Sequence, residues 1–239
     1  MQRATIRPIR AYWMMLLLGT LCGMIFWILW IFQLIKIRSY WRTMWKLFWG
    51  NHAIFSNHPS MKDPFMLLGP AWPWCIFFPN QYWSWSAPDV QYFKSLALWA
   101  YPLIRAIPVD RKNKNGREVV KWFSWAFQSK RNLIIHPEEG RTSSLSRDPN
   151  APPTEYVYSS DRARKIRKIT KVTTLRLVIK HGTEITPTYI DMPHSPGFGH
   201  WGLKTSTINF GQPYYPNGEL TDNELLRDLE IRILQAGKE

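Results

Sequence analysis

The apolar positions of this chain begin with one long uncharged run. Residues 11–32 contain no formal charge, and Gly19, Thr20 and Gly23 near the middle of the run leave room for a bend. At about 1.5 Å rise per residue, such a run is long enough to cross a hydrocarbon core of roughly 30 Å. The run therefore predicts a membrane anchor, and a full span and a hairpin dipping into one leaflet are the two alternatives.

The segment that follows predicts a helix lying at the membrane surface. Within residues 39–50, Trp41, Trp45 and Trp49 recur every fourth position, which places the three rings on one helical face. Indole rings favour the headgroup level of a bilayer. We therefore expect an N-terminal membrane-attached part over residues 1–50, followed by a second domain over residues 51–239.

Beyond residue 50, short apolar runs alternate with amphipathic stretches. Strands alternating with helices indicate an α/β domain with a mostly parallel sheet flanked by helices. Residues 143–160 predict a polar loop, and Thr221-Asp222-Asn223-Glu224 predicts a capping box that opens the last helix. The predicted strands are 52–56, 75–78, 104–109, 133–136, 184–190 and 205–210, and the other predicted helices are 60–68, 88–99, 116–130 and 162–180.

The charge balance adds an anionic partner to this picture. The net charge is +14, from 31 Lys and Arg against 17 acidic residues. Beside an apolar anchor, anionic lipid headgroups explain that excess better than nucleic acid does. The basic run over residues 162–171 fits a solvated helix face, a headgroup contact, or a site for the phosphates of coenzyme A or an acidic carrier protein. Cys22 and Cys75 form no disulfide framework, which fits a reducing compartment and hence the cytoplasmic face of a membrane.

One short motif carries candidate chemistry. His58 and Asp63 lie five residues apart, just after a short apolar strand and at the start of a predicted helix. That spacing lets the carboxylate reach back to the imidazole, fix its tautomer and stabilise its positive charge. A histidine held in this way is suited to take a proton from an alcohol. An ordinary histidine at a helix start is the alternative reading of His58.

Three further motifs follow at the distances that the interpretation requires. Two of them end predicted strands, where open α/β sheets place their ligand crevices, and the last lies within a predicted strand. The three are Ile107-Pro108-Val109-Asp110-Arg111, Pro137-Glu138-Glu139-Gly140-Arg141-Thr142-Ser143 and Ile185-Thr186-Pro187-Thr188.

In order, spacing and context, the four motifs resemble those of the glycerolipid acyltransferases, the 1-acylglycerol-3-phosphate acyltransferase family. The resemblance extends from about residue 54 to the last helix, which would make residues 51–239 the catalytic domain. It implies that His58 is the general base and Asp63 its partner. It also implies direct attack of the acceptor's hydroxyl on acyl-CoA or acyl carrier protein, with no acyl-enzyme, cofactor or metal. The positions matching the family's phosphate-handling residues are Arg111, Glu139, Gly140, Arg141 and Thr142.

The chain also departs from the family pattern. His136 stands where the family usually has phenylalanine, an additional glutamate is present, and Arg141 precedes Thr142 rather than following it. We assign the motif glutamate to Glu139 rather than Glu138 because Glu139 precedes the glycine. His136 lies near the third motif, but no metal-ligand spacing accompanies it.

The expected acceptor is 1-acylglycerol 3-phosphate, which would give phosphatidic acid. Glycerol 3-phosphate, a lyso-aminolipid and another lysophospholipid are the alternatives within the same chemistry. Solvated surface charge is the alternative reading of the matched arginines. A non-catalytic, membrane-anchored protein that binds anionic lipid is the alternative from another class.

Overall fold

The chain forms an α/β fold with a mostly parallel sheet flanked by helices. A computed structural model describes residues 8–59, 66–67, 69–72, 74–78, 82, 84–86, 107, 116–138, 156–192 and 206–238. The helices are α1 (Pro8–Ile31), α2 (Tyr40–Trp49), a short turn α3 (Trp74–Phe77), α4 (Gly116–Gln128), α5 (Thr173–Lys180) and α6 (Asp222–Ala236). The strands are β1 (Ile35–Arg38), β2 (His52–Ser56), β3 (Trp85–Ser86), β4 (Leu133–Ile135), β5 (Tyr156–Tyr158), β6 (Lys165–Arg167), β7 (Glu184–Asp191) and β8 (Ser206–Phe210).

Strand β2 lies inside the main sheet, whose order is β1-β8-β7-β2-β4-β3. It is parallel to both of its neighbours, with Ser56 opposite Thr188 of β7 and Phe55 opposite Ile135 of β4. Only β8 and β1 run the opposite way, because β8 is antiparallel to β7 and β1 is parallel to β8. The carboxyl ends of β2, β4 and β7 therefore meet at one edge of the sheet.

Both faces of β2 are covered, which explains why all five of its residues are buried. Ala53 and Phe55 belong to a core that also holds residues of α4, α5 and α6. Ile54 points to the opposite face, into a second core shared with α1 and α2. Because successive strand residues alternate between faces, one strand joins the two cores of the fold.

Helix α1 packs on the domain through close contacts with the segment around residue 70. A side chain at Gly23 would collide with Trp72, and one at Gly69 would collide with the buried ring of Phe26. The indole Nε1 of Trp27 donates to the carbonyl of Trp72 at 2.6 Å. The helix runs without interruption through residues 19–23, so the alternative of a hairpin bent there is wrong. Within the described part of the chain, no helix combines the length and the apolar character needed to cross a membrane.

Two predicted elements differ from the observed ones. Residues 162–180 do not form one basic helix: β6 pairs antiparallel with β5, and only Thr173–Lys180 is helical. The reason is the buried Ile166 between two partly exposed cations, a strand period that the basic composition concealed. Residues 75–78 are not a buried strand, because Trp74–Phe77 is a helical turn and Phe77 is 69% exposed. The predicted loop over 143–160 contains β5 in its last part.

Other predicted elements are confirmed. The helix after the anchor, the strands at 52–56, 133–136, 184–190 and 205–210, and the helix at 116–130 match α2, β2, β4, β7, β8 and α4 to within two residues. The capping box at Thr221 is present, with both reciprocal hydrogen bonds. The predicted elements at 60–68, 88–99 and 104–109 lie largely outside the described residues. The division at residue 50 stays a prediction, and β1 and α2 before it belong to the same fold as β2.

A polar network joins α2 to the amino-terminal ends of β2 and β7. Lys46 Nζ lies 2.9 Å from Glu184 Oε1, and the other carboxylate oxygen lies 3.5 Å from Nδ1 of the buried His52. Nε2 of His52 lies 2.6 Å from the hydroxyl of Thr186. The hydrogen bond with His52 lowers the pKa of Glu184, while burial lowers the pKa of His52. A neutral His52 that donates from Nδ1 and accepts at Nε2 satisfies both partners.

Candidate functional site

His58 is placed at the carboxyl edge of the sheet by the residue before it. Asn57 is buried, and its side-chain amide donates from Nδ2 to the carbonyl of Ile190 at 2.9 Å. The Ile190 N–H donates back to Asn57 Oδ1 at 2.7 Å. The amide therefore continues the pairing of β2 with β7 beyond Ser56, the last paired residue of β2. This clamp fixes the chain immediately before the half-buried His58.

A second histidine lies against the first. His136 follows β4, the strand beside β2, and its ring stacks on that of His58 with a centroid distance of 4.7 Å and an interplanar angle of 23°. Its Nδ1 lies 3.3 Å from each of the carbonyl oxygens of Ser56 and Asn57. Carbonyl oxygens only accept, so the hydrogen of His136 belongs on Nδ1 and is shared between them. Two imidazoles from neighbouring strands thus meet at one point.

All of the other predicted site residues lie outside the described part of the chain. These are Asp63, Arg111, Glu139, Gly140, Arg141 and Thr142. The structure does describe some residues of the second and third motifs. Ile107, at the start of the second motif, is buried in the core shared with α4. His136 and Glu138 lead into the third motif at the edge where His58 lies.

Glu138 is buried beside the end of β7. Its charge is one of the influences on Tyr189, whose pKa is raised to about 12 chiefly by burial and further by Asp191. A buried carboxylate near a strand end is a structural feature of this edge, whichever glutamate matches the family motif. The assignment of the motif glutamate to Glu139 stays a prediction.

The described residues do not suggest a metal centre. No group of three or more His, Cys, Asp or Glu side chains suited to a metal ion occurs among them.

Two residues with a place in this site were missed by the sequence interpretation. Asn57 was given no role, although its place directly after a short buried strand and before His58 suits a buried hydrogen-bonding residue. His136 was treated as a departure from the family pattern. Its contact with His58 depends on the parallel pairing of β2 with β4, which the local sequence does not contain.

An apolar face covers the side of the molecule that carries α1, α2 and α3. The three tryptophans predicted for one face of α2 are outward, with Trp41 70%, Trp45 61% and Trp49 67% exposed. Ring contacts join the helices into one surface, among them Trp27 with Tyr40, Trp41 with Trp74, and Phe48 with Phe78. The exposed side chains of this apolar face are Leu21, Met24, Ile25, Ile28, Ile31, Phe32, Trp41, Trp45, Trp49, Phe77 and Phe78.

A second, smaller exposed aromatic pair lies on α4, at Trp122 and Trp125. Helix α4 packs on the opposite face of the sheet from α2. The exposed tryptophans of α2 and those of α4 therefore lie on opposite faces of the sheet.

No protein-family model matches this chain, and no curated protein shows significant similarity to it.

Proposed function

We propose that this protein is a membrane-bound O-acyltransferase that acylates a lysophospholipid. The acyl donor is acyl-CoA or acyl carrier protein, and the preferred acceptor is 1-acylglycerol 3-phosphate, which becomes phosphatidic acid. The observation that carries the proposal is the position of His58 at the carboxyl edge of a largely parallel sheet, behind the Asn57 clamp. Ligand crevices of open α/β sheets lie at this edge.

In the proposed reaction His58 acts as a general base. The acceptor's hydroxyl oxygen attacks the carbonyl carbon of the thioester while its proton passes to the imidazole. A C–O bond forms, the C–S bond breaks, and the departing thiolate takes the proton from the His58 imidazolium to leave as a free thiol, which restores the base. Asp63 would hold the protonated ring, and Arg111 and Arg141 would bind the acceptor's phosphate through guanidinium forks. Glu139, Gly140 and Thr142 would complete the acceptor site.

The apolar face supports the membrane part of the proposal. Soluble monomers rarely expose contiguous apolar patches of this kind, and outward tryptophans favour the headgroup level. We propose that this face inserts into the cytoplasmic leaflet of a membrane and that α1 forms part of the anchor. Met66 and Leu67, which follow His58 in the sequence, share a core with Phe26 of α1.

The test is thiol release from oleoyl-CoA by detergent-solubilised protein, with and without 1-acylglycerol 3-phosphate. We expect acceptor-dependent release in the wild type and a loss of about 10² to 10⁴ in rate for His58→Ala. His181→Ala is the matched control, since His181 follows α5 near the opposite end of the sheet and stacks on Phe127. It should retain the wild-type rate.

A panel of donors and acceptors separates the alternatives. Preference for glycerol 3-phosphate, a lyso-aminolipid or another lysophospholipid would replace the acceptor and keep the chemistry. Turnover only with acyl carrier protein would replace the donor. Folded wild-type protein that consumes no thioester under any of these conditions, but binds anionic vesicles in a salt-dependent way, would be a lipid-binding protein and not an enzyme.

A further inference from the structure

We infer that His136 is a positioning residue for the base, holding both the ring of His58 and the main chain that precedes it. This role rests on the proposed function of His58, and it concerns a residue that departs from the family pattern. The two contacts of His136 carry the inference. Its ring lies 4.7 Å from that of His58, and its Nδ1 lies 3.3 Å from each of two carbonyl oxygens just before His58.

The ring contact restricts one torsion of the base. A half-buried imidazole on a short side chain can turn about its Cβ–Cγ bond, and partial turns move its nitrogens away from the direction of the acceptor. Stacking at 23° against a second flat ring favours a single orientation of that plane. General-base catalysis requires one nitrogen within hydrogen-bond reach of the hydroxyl, so the orientation of the ring bears directly on the rate.

The hydrogen bond restricts the backbone. The shared Nδ1–H of His136 reaches the carbonyls of Ser56 and Asn57, the two residues that connect β2 to His58. The Asn57 amide holds the same turn from β7, on the other side of β2. The turn is therefore fixed from both neighbouring strands, and His136 supplies the β4 side of that support.

Three variants separate the two contacts. His136→Phe keeps a flat ring and loses the N–H donor. His136→Asn keeps an N–H donor near the position of Nδ1 and loses the ring. His136→Leu loses both. His181→Phe is the control, because it removes a histidine that also stacks on an aromatic ring but lies far from this edge.

We expect kcat to fall about 10-fold in the Phe and Asn variants and about 100-fold in the Leu variant, because small displacements of reacting groups cost factors of this size. KM should change less than twofold, since His136 contributes to orientation of the base and not to acceptor binding. His181→Phe should keep the wild-type kcat. Equal kcat in the wild type and all three His136 variants would overturn the inference.

A spectroscopic measurement makes the inference independent of turnover. In protein labelled with ¹⁵N-histidine, the His58 signals are identified by their loss in His58→Gln. We expect one sharp set of His58 ring signals in the wild type, a shifted set in His136→Phe, and broadened signals in His136→Leu. Unchanged His58 signals in His136→Leu overturn the positioning role even if the enzyme is active. Changed signals in a protein without acyltransferase activity support the contact and refute only the proposed function.

Discussion

The Asn57 clamp yields a quantitative prediction for the substitution Asn57→Ala. The change removes a side chain that pairs with both main-chain groups of Ile190, and it leaves a buried N–H and a buried carbonyl without these partners. An orphaned buried polar group costs about 1–3 kcal/mol, so the two groups together predict a loss in free energy of unfolding of about 2–6 kcal/mol. For a chain of this size, that corresponds to a fall in Tm on the order of 10 °C.

Asn132, which directly precedes β4, provides a matched control because it binds the amino-terminal end of β2. It is equally buried, and its amide also makes one bond in each direction: it donates to the carbonyl of Leu47 at 2.6 Å and accepts from the N–H of His52 at 3.1 Å. Asn132→Ala should therefore destabilise the fold by a similar amount. Because it lies at the amino-terminal end of β2, it should leave the turn before His58 in place.

The assay has two parts. Urea unfolding in detergent is monitored by circular dichroism, and thioester turnover is measured per folded molecule. We expect both variants to shift the unfolding midpoint at an unchanged m-value. Of the two variants, only Asn57→Ala should lower kcat, by about 10-fold or more, because Asn57 holds the turn before His58 and Asn132 does not. An unfolding free energy within about 0.5 kcal/mol of the wild type would refute the energetic reasoning, since that is the range of neutral surface changes. Equal losses of kcat in the two variants would refute the positional reasoning.

Two further predictions concern the apolar face and the buried network. Replacing the three outward tryptophans of α2 with alanine should weaken binding to anionic vesicles by at least roughly 100-fold, because burying each large apolar side chain contributes about 1.5–3 kcal/mol. Replacing the two exposed tryptophans of α4 should change this binding little. Equal losses in the two variants would contradict the assignment of the apolar face. The substitution His52→Gln should lower the free energy of unfolding most above pH 7, and the loss should become smaller below the ordinary histidine pKa of 6.5. The reason is that burial lowers the pKa of His52, so the unfolded chain takes up the proton first as the pH falls. A deficit that grows as the pH falls would show that the folded protein accommodates a charged His52.

The parts of the fold that the sequence predicted well are those with a strong local signal. Strand β2 was predicted with its observed bounds because five largely apolar residues are followed by turn-forming Asn57 and His58. Helix α2 followed from the four-residue recurrence of its tryptophans, and α6 from a capping box. Each of these signals is contained within a single element, so no knowledge of strand pairing was required.

The contacts at the candidate site depend on pairing between distant segments. The Asn57 clamp requires that residue 57 lie beside residue 190, and the histidine stack requires β4 beside β2. Neither neighbour is set by periodicity, because the order of strands in a parallel sheet depends on the crossovers between them. The error at residues 162–180 has a different origin: a high density of cations favoured a helix, while the alternation around Ile166 indicated a strand.

The position of the apolar face relative to His58 has a consequence for the proposed chemistry. Trp72 lies against Gly23 of α1 and Trp74 against Trp41 of α2, so both residues belong to the side of the molecule that carries the apolar face. A lysophospholipid that keeps its acyl chain in the leaflet presents its hydroxyl near the headgroup plane. The proposed function requires that the acyl chain stay in the leaflet while the hydroxyl reaches His58. The binding free energy of the acceptor is then available to orient its hydroxyl toward the base. A general base that works without an acyl-enzyme depends most on this orientation.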